Sequence, residues 1–79
     1  MTFSNPTIAF SQTLLKRGDR GVAVEHLQTK LNREDLCIVT DGNFGPATEL
    51  AVKIYQTGQR LHSDGMVGVK TWTQFQDSG

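Results

Sequence analysis

Asp41-Gly42-Asn43-Phe44-Gly45-Pro46-Ala47-Thr48 decides how this chain folds, and it recurs 23 residues later as Asp64-Gly65-Met66-Val67-Gly68-Val69-Lys70-Thr71. Asp-Gly suits a tight turn: glycine accepts positive φ, and the aspartate carboxylate can bond its own downstream backbone. Phe44 then sends a large apolar side chain inward, and Val67 takes its slot in the second copy. Gly45 and Pro46 read as the N-cap and first position of a helix, where the missing proline N–H costs nothing. Thr48 falls in the first turn, where its hydroxyl can satisfy an unpaired backbone group. One such octamer would be a turn; two in register predict a small helical repeat.

Working outward, the helix opened by Pro46 is expected to run to Thr57 and stop at Gly58. At 100° per residue Ala51, Val52 and Tyr55 share a face, and Leu50 and Ile54 lie on an adjoining one. Something must cover that second side: either the N-terminal segment or a partner protein. Upstream, Lys16 to Gly21 is a turn with glycines at 18 and 21, leading into a helix over 22–32. Val24, Leu27 and Leu31 form its amphipathic stripe. Gln28 falls inside that stripe, so its amide is expected to tie the backbone of a neighbouring loop. Leu36-Cys37-Ile38-Val39 is too short for a helix and reads as a strand-like segment or a buried connector. Gln59 to Ser63 closes onto the second octamer with Leu61 as its anchor. A last helix from Val69 to about Gln76 carries Trp72 and Phe75, followed by a polar end. Residues 1–13 show no clean period and read as an irregular arm on the surface or a loose tail; the domain proper spans 14–77. The fold class is all-α: a small orthogonal three-helix bundle with glycine-rich turns, plus an N-terminal arm.

At 79 residues the chain is one domain with a modest core. Residues 1–33 hold five basic and two acidic side chains, and residues 34–79 hold three and six, so the formal charge cancels to zero. That mild polarity is far from the basic footprint of a nucleic-acid binder. No apolar run approaches the roughly 20 residues of a membrane span, and the N-terminus lacks the pattern of a signal peptide. The single cysteine cannot form an internal disulfide.

Catalytic chemistry finds little support. Cys37 sits in an apolar run, where a thiol behaves as a small hydrophobe. His26 and His62 are not spaced as a metal pair, and one cysteine cannot complete a structural zinc site. Asp41-x-Asn43 opens like a calcium loop, but Gly45 and Val52 stand where further ligands belong. No metal, no cofactor and no enzyme activity are expected.

With these residues placed, the sequence resembles the peptidoglycan-binding domain family, a three-helix module attached to many bacterial wall enzymes. The resemblance runs from Leu15 to about Phe75 and rests on Gly18, Gly21, Val24, Leu27-Gln28, Leu31, the two octamers, Ala51-Val52, Gln56 and Thr71-Trp72. Tyr55 stands where the family usually has phenylalanine, and Gln59-Arg60-Leu61 replaces the usual Gly-Leu. The resemblance implies non-catalytic binding to the wall polymer, through glycan strands or stem peptides, by a monomer in the cell envelope or outside the cell that serves an attached or partner wall-active enzyme. Gly18, Gly21, Gln28, Asp41, Gly42, Phe44, Gly45, Thr48, Asp64, Gly65, Gly68 and Thr71 read as turns, caps and core. Candidate ligand contacts are Arg20, Asn43, Tyr55, Gln59 and Trp72, offering cationic, amide and aromatic groups, with a core place favoured for Trp72 because large aromatics dominate small cores. The alternative is a protein-interaction module on the same scaffold, docking through the apolar face of the second helix. The pro-segments of matrix metalloproteinases look similar in fold, but Cys37 lacks their Pro-Arg-Cys-Gly setting.

Overall fold

Three helices form where apolar residues recur at helical spacing: α1 (Val22–Arg33), α2 (Pro46–Gly58) and α3 (Val69–Ser78). The computed structural model describes residues 14–78, so the arm expected over 1–13 lies outside the described residues. The α1 stripe is as the spacing predicts, with Val24, Leu27, Gln28 and Leu31 all buried. Leu27 and Leu31 are fully buried, each contributing roughly 1.5–3 kcal/mol by leaving water. On α2 the buried face is Thr48, Ala51, Val52, Tyr55 and Gln56. Phe44 and Val67 occupy matching places in the core, one from each octamer, beside Trp72 and Phe75 of α3.

The glycine turns hold the helices together through backbone pairing rather than through a sheet. Leu15 and Val67 exchange both of their backbone hydrogen bonds, at 3.0 and 2.8 Å. Farther along the same segment, Gly21 N–H donates to Gly42 O and Phe44 N–H donates to Asp19 O, each at 2.9 Å. The segment 15–20 therefore touches both octamers, the second at its start and the first at its end. This is why the two turns lie on one framework although no described residue forms an extended strand.

Several element ends differ from expectation. Gly58 lies inside α2 rather than beyond it, because the left-handed residue that ends this region is Arg60 (φ 62°). Helix α3 continues to Ser78, taking in residues expected to form the polar end. Leu36 and Ile38 turn towards the core while Cys37 and Val39 face solvent, so the connector alternates like a strand without a partner. Asn32 takes the partner's place: its side chain accepts from Ile38 N–H and donates to Ile38 O. Cys37 is exposed with φ 49°, and so is not the buried hydrophobe its neighbours suggested. Leu61 is only half-buried. Leu50 and Ile54 are 60% and 51% exposed, as the wide apolar arc of α2 requires when nothing described covers it.

Candidate functional site

Each octamer is held by one buried glutamine. From α1, Gln28 Nε2 donates to Asp41 Oδ1, Asn43 O and Thr48 Oγ1 at 3.0–3.1 Å, while Gln28 Oε1 accepts from Gly42 N–H at 2.9 Å. From α2, Gln56 repeats the set on the second copy: Nε2 to Asp64 Oδ1, Met66 O and Thr71 Oγ1, and Gly65 N–H to Oε1 at 3.0 Å. Only an amide supplies donors and an acceptor from one planar group, which is what a turn with exposed carbonyls and an inward N–H demands. The threonine hydroxyls thus accept from the glutamines. Both aspartates also close their own turns, Asp41 Oδ1 accepting from Asn43 N–H at 3.0 Å and Asp64 Oδ1 from Met66 N–H at 2.9 Å. The Asn43 N–H, and after it the Gln28 amide, lower the Asp41 pKa; the Met66 N–H, with Gln56 and the charge of His62, outweighs desolvation to lower that of Asp64.

Pinned in this way, the first octamer presents Asn43 directly opposite Arg20. Hydrogen bonds lie on either side of this pair rather than within it, the arrangement that brings opposed Cα atoms to about 4.5 Å and puts both side chains on the same side. Both residues are exposed. Together with Gly18, Asp19, Phe44 and Gly45 they line a shallow groove of about 350 Å³. Asp19 already accepts from the Lys16 backbone and lies 3.8 Å from its ammonium, whereas Arg20 has no ion pair among the described residues. The groove thus offers a guanidinium outside any described ion pair beside an exposed carboxamide that also bonds the Asp41 carboxylate, a pair suited to carboxylates, amides and sugar hydroxyls.

The other three expected contacts fall elsewhere. Tyr55 is 4% exposed and stacks on Phe75 with centroids 4.2 Å apart. Trp72 is 2% exposed, packed between His26 (5.8 Å) and Phe75 (6.1 Å). Neither ring has a face to offer a ligand, so Tyr55 is corrected from contact to core and Trp72 takes the core place favoured for it: a chain this small needs its large aromatics to fill its interior. Gln59 caps the C-terminal end of α2, and its Oε1 accepts from Gln74 Nε2 at 2.8 Å, outside the Arg20 groove.

Two further grooves flank the octamers, and they are copies of each other. One, of about 250 Å³, is bordered by Ile38, Val39, Asn43, Pro46 and Ala47. The other, of about 230 Å³, is bordered by Leu61, His62, Met66, Val69 and Lys70. Every one of these five pairs is related by the same 23-residue step as the octamers. Lys70 stands within the second octamer and His62 was weighed only as a metal ligand, so neither was assigned to a groove, although the repeat, carried three residues further upstream, reaches Ile38 and Leu61.

Residues 20–75 match the family described as "Putative peptidoglycan binding domain". The chain belongs to that family. Among curated proteins, this peptidoglycan-binding domain is 39% identical over 66 residues to a Kitasatospora aureofaciens protein described as "Uncharacterized protein in bpoA1 3'region", covering 81% of the chain and 56% of the relative. Among solved structures it is similar to a Clostridioides difficile peptidoglycan-binding protein in complex with glutamine hydroxamate (28% identity, TM-score 0.80, 82% of this chain and 41% of that one). It is also similar to the Burkholderia AP3 phage endolysin (34% identity, TM-score 0.81, covering 85% and 26%). The SleB N-terminal domain matches at 29% identity and TM-score 0.81, covering 85% and 93%. The chain thus spans about half the length of the curated relative and a smaller part of the first two structures.

Proposed function

We propose that the domain binds cell-wall peptidoglycan without cleaving it, at the Arg20–Asn43 groove, and so holds an attached or partner wall-active enzyme near its substrate. Family membership supports the polymer as ligand, and the observation that carries the location is the close pairing of an unengaged guanidinium with an exposed carboxamide. A guanidinium binds a carboxylate through two parallel hydrogen bonds, and an asparagine both donates to and accepts from amides and hydroxyls. Stem peptides and N-acetylated sugars present those groups repeatedly. Weak contacts suffice for such a task, because tethering raises local concentration without requiring a tight single site. The same reading places the domain at the cell wall; no helix among the described residues is long and apolar enough to cross a membrane.

Sedimentation with purified sacculi tests the reading. The domain should be enriched in the pellet over an unrelated domain of equal size, and Arg20→Ala with Asn43→Ala should lower the bound fraction about fivefold, in line with a loss of roughly 1 kcal/mol for exposed polar contacts. Equal sedimentation of the domain and the control would remove the proposal.

A further inference from the structure

The two copied grooves share a shape and differ in chemistry. Each has a half-buried aliphatic residue at one position, Ile38 in the first and Leu61 in the second. Around it the first groove carries Val39, Asn43, Pro46 and Ala47, with no cationic group. The second carries His62, Met66, Val69 and Lys70 in those places, so one step of the repeat exchanges alanine for a lysine and valine for an imidazole. The acid of the second groove, Asp64, already has Oδ1 accepting from the Gln56 amide and the Met66 N–H. Lys70 is exposed and takes part in no ion pair among the described residues. It stands at the start of α3, where the helix dipole reinforces a positive field.

The geometry points to the Leu61–Lys70 groove as a second binding site, distinct from the Arg20 groove, for the carboxylate end of a peptide whose last residue has a small aliphatic side chain. The inference rests on the wall-binding reading and specifies which part of the polymer this second site takes. At about 230 Å³ the groove falls below the roughly 300 Å³ at which sites for drug-sized ligands begin, so it holds a terminal residue rather than a disaccharide. Leu61, Met66 and Val69 provide apolar contact for the side chain, and Lys70 provides the counter-charge for the carboxylate. The first groove offers the same apolar contact without the charge and so does not select for a free carboxylate.

Titration of the ¹⁵N-labelled chain with acetyl-D-alanyl-D-alanine, against the same peptide as its C-terminal amide, tests this directly. The acid should produce saturable amide shifts at 61–62 and 66–71, and the amide should bind at least threefold more weakly. Lys70→Gln should weaken the acid about threefold, as loss of an exposed charge contact does, and leave the amide unchanged, while Lys70→Arg should retain the preference. Equal affinity for acid and amide, or shifts confined to 18–20 and 43–45, would overturn the proposal. So would absence of any shift with a chain that still sediments with sacculi, an outcome that leaves the wall-binding reading standing. Failure of both peptide and sacculi to bind would remove the two together.

Discussion

An amide is needed at positions 28 and 56 because each turn presents its helix with one donor and several acceptors. Glutamate at either place would bring two acceptors against Asp41 or Asp64 and no donor for the carbonyls. Gln28→Ala and Gln56→Ala should therefore each cost about 1–3 kcal/mol in urea unfolding, since buried turn groups lose their partners. A neutral result for Gln28→Ala would mean that the staple is not what holds the turn. Gln28 was legible in the sequence as the one polar residue inside an apolar stripe. Tyr55 was not, because a ring that stacks on a ligand and a ring that fills a core share the same composition and spacing; for Trp72 the core reading was favoured on size alone. His26 adds a pH dependence. Burial first, and then Lys30 and Arg33, lower its pKa below the ordinary 6.5. The unfolded chain then takes up the proton more readily, so this contribution to stability is complete above about pH 6.5 and declines as pH falls through that value. The urea midpoint should fall between pH 7.5 and pH 5.5, and His26→Phe, which keeps a ring against Trp72, should narrow that drop; an unchanged drop would assign it to other groups. Asp41 and Asp64 have lowered pKa values and act in the acid range, their contributions present above about pH 3.8 and lost below it.

At the scale of the element, the turns depend on backbone shape. Gly42 and Gly65 adopt φ of 77° and 79°, and a Cβ at either would approach flexible side chains to 3.2 and 3.0 Å. Those side chains can move, so the cost of Gly42→Ala or Gly65→Ala is mainly conformational, about 1–2 kcal/mol each. Gly58 should respond with the opposite sign. It is helical with open space around it, and Gly58→Ala should stabilise by about 0.4–1 kcal/mol, read as a raised melting temperature. A loss of stability on Gly58→Ala would show that this glycine is needed for its conformation. The helices themselves were legible from periodicity, since burial selects one face regardless of what lies opposite. Their ends were less so, because Arg60 supplies the left-handed turn that glycine usually provides. The connector over 36–39 was ambiguous for a related reason: it alternates like a strand, but its backbone is held by one asparagine side chain rather than by a ladder.

For the whole molecule, the sequence carried the repeat and the family, while the surface came from tertiary pairing. Arg20 and Asn43 are 23 residues apart and share no helix, so nothing in their local pattern announces that they meet. They meet because the segment 15–20 runs from one octamer to the other. The three grooves are therefore set around a single framework whose rigid parts are the staples and bridges. The exposed Leu50 and Ile54 stand apart from this arrangement on the outer side of α2.

The glutamine staples also have a consequence for substitution. They grip backbone atoms together with an aspartate and a threonine, and make no bond to the side chains at 43, 46 and 47, or at 66, 69 and 70. Substitution at those six positions therefore leaves the bonds of the staples intact. The same positions are the natural choice for a randomised library on this frame.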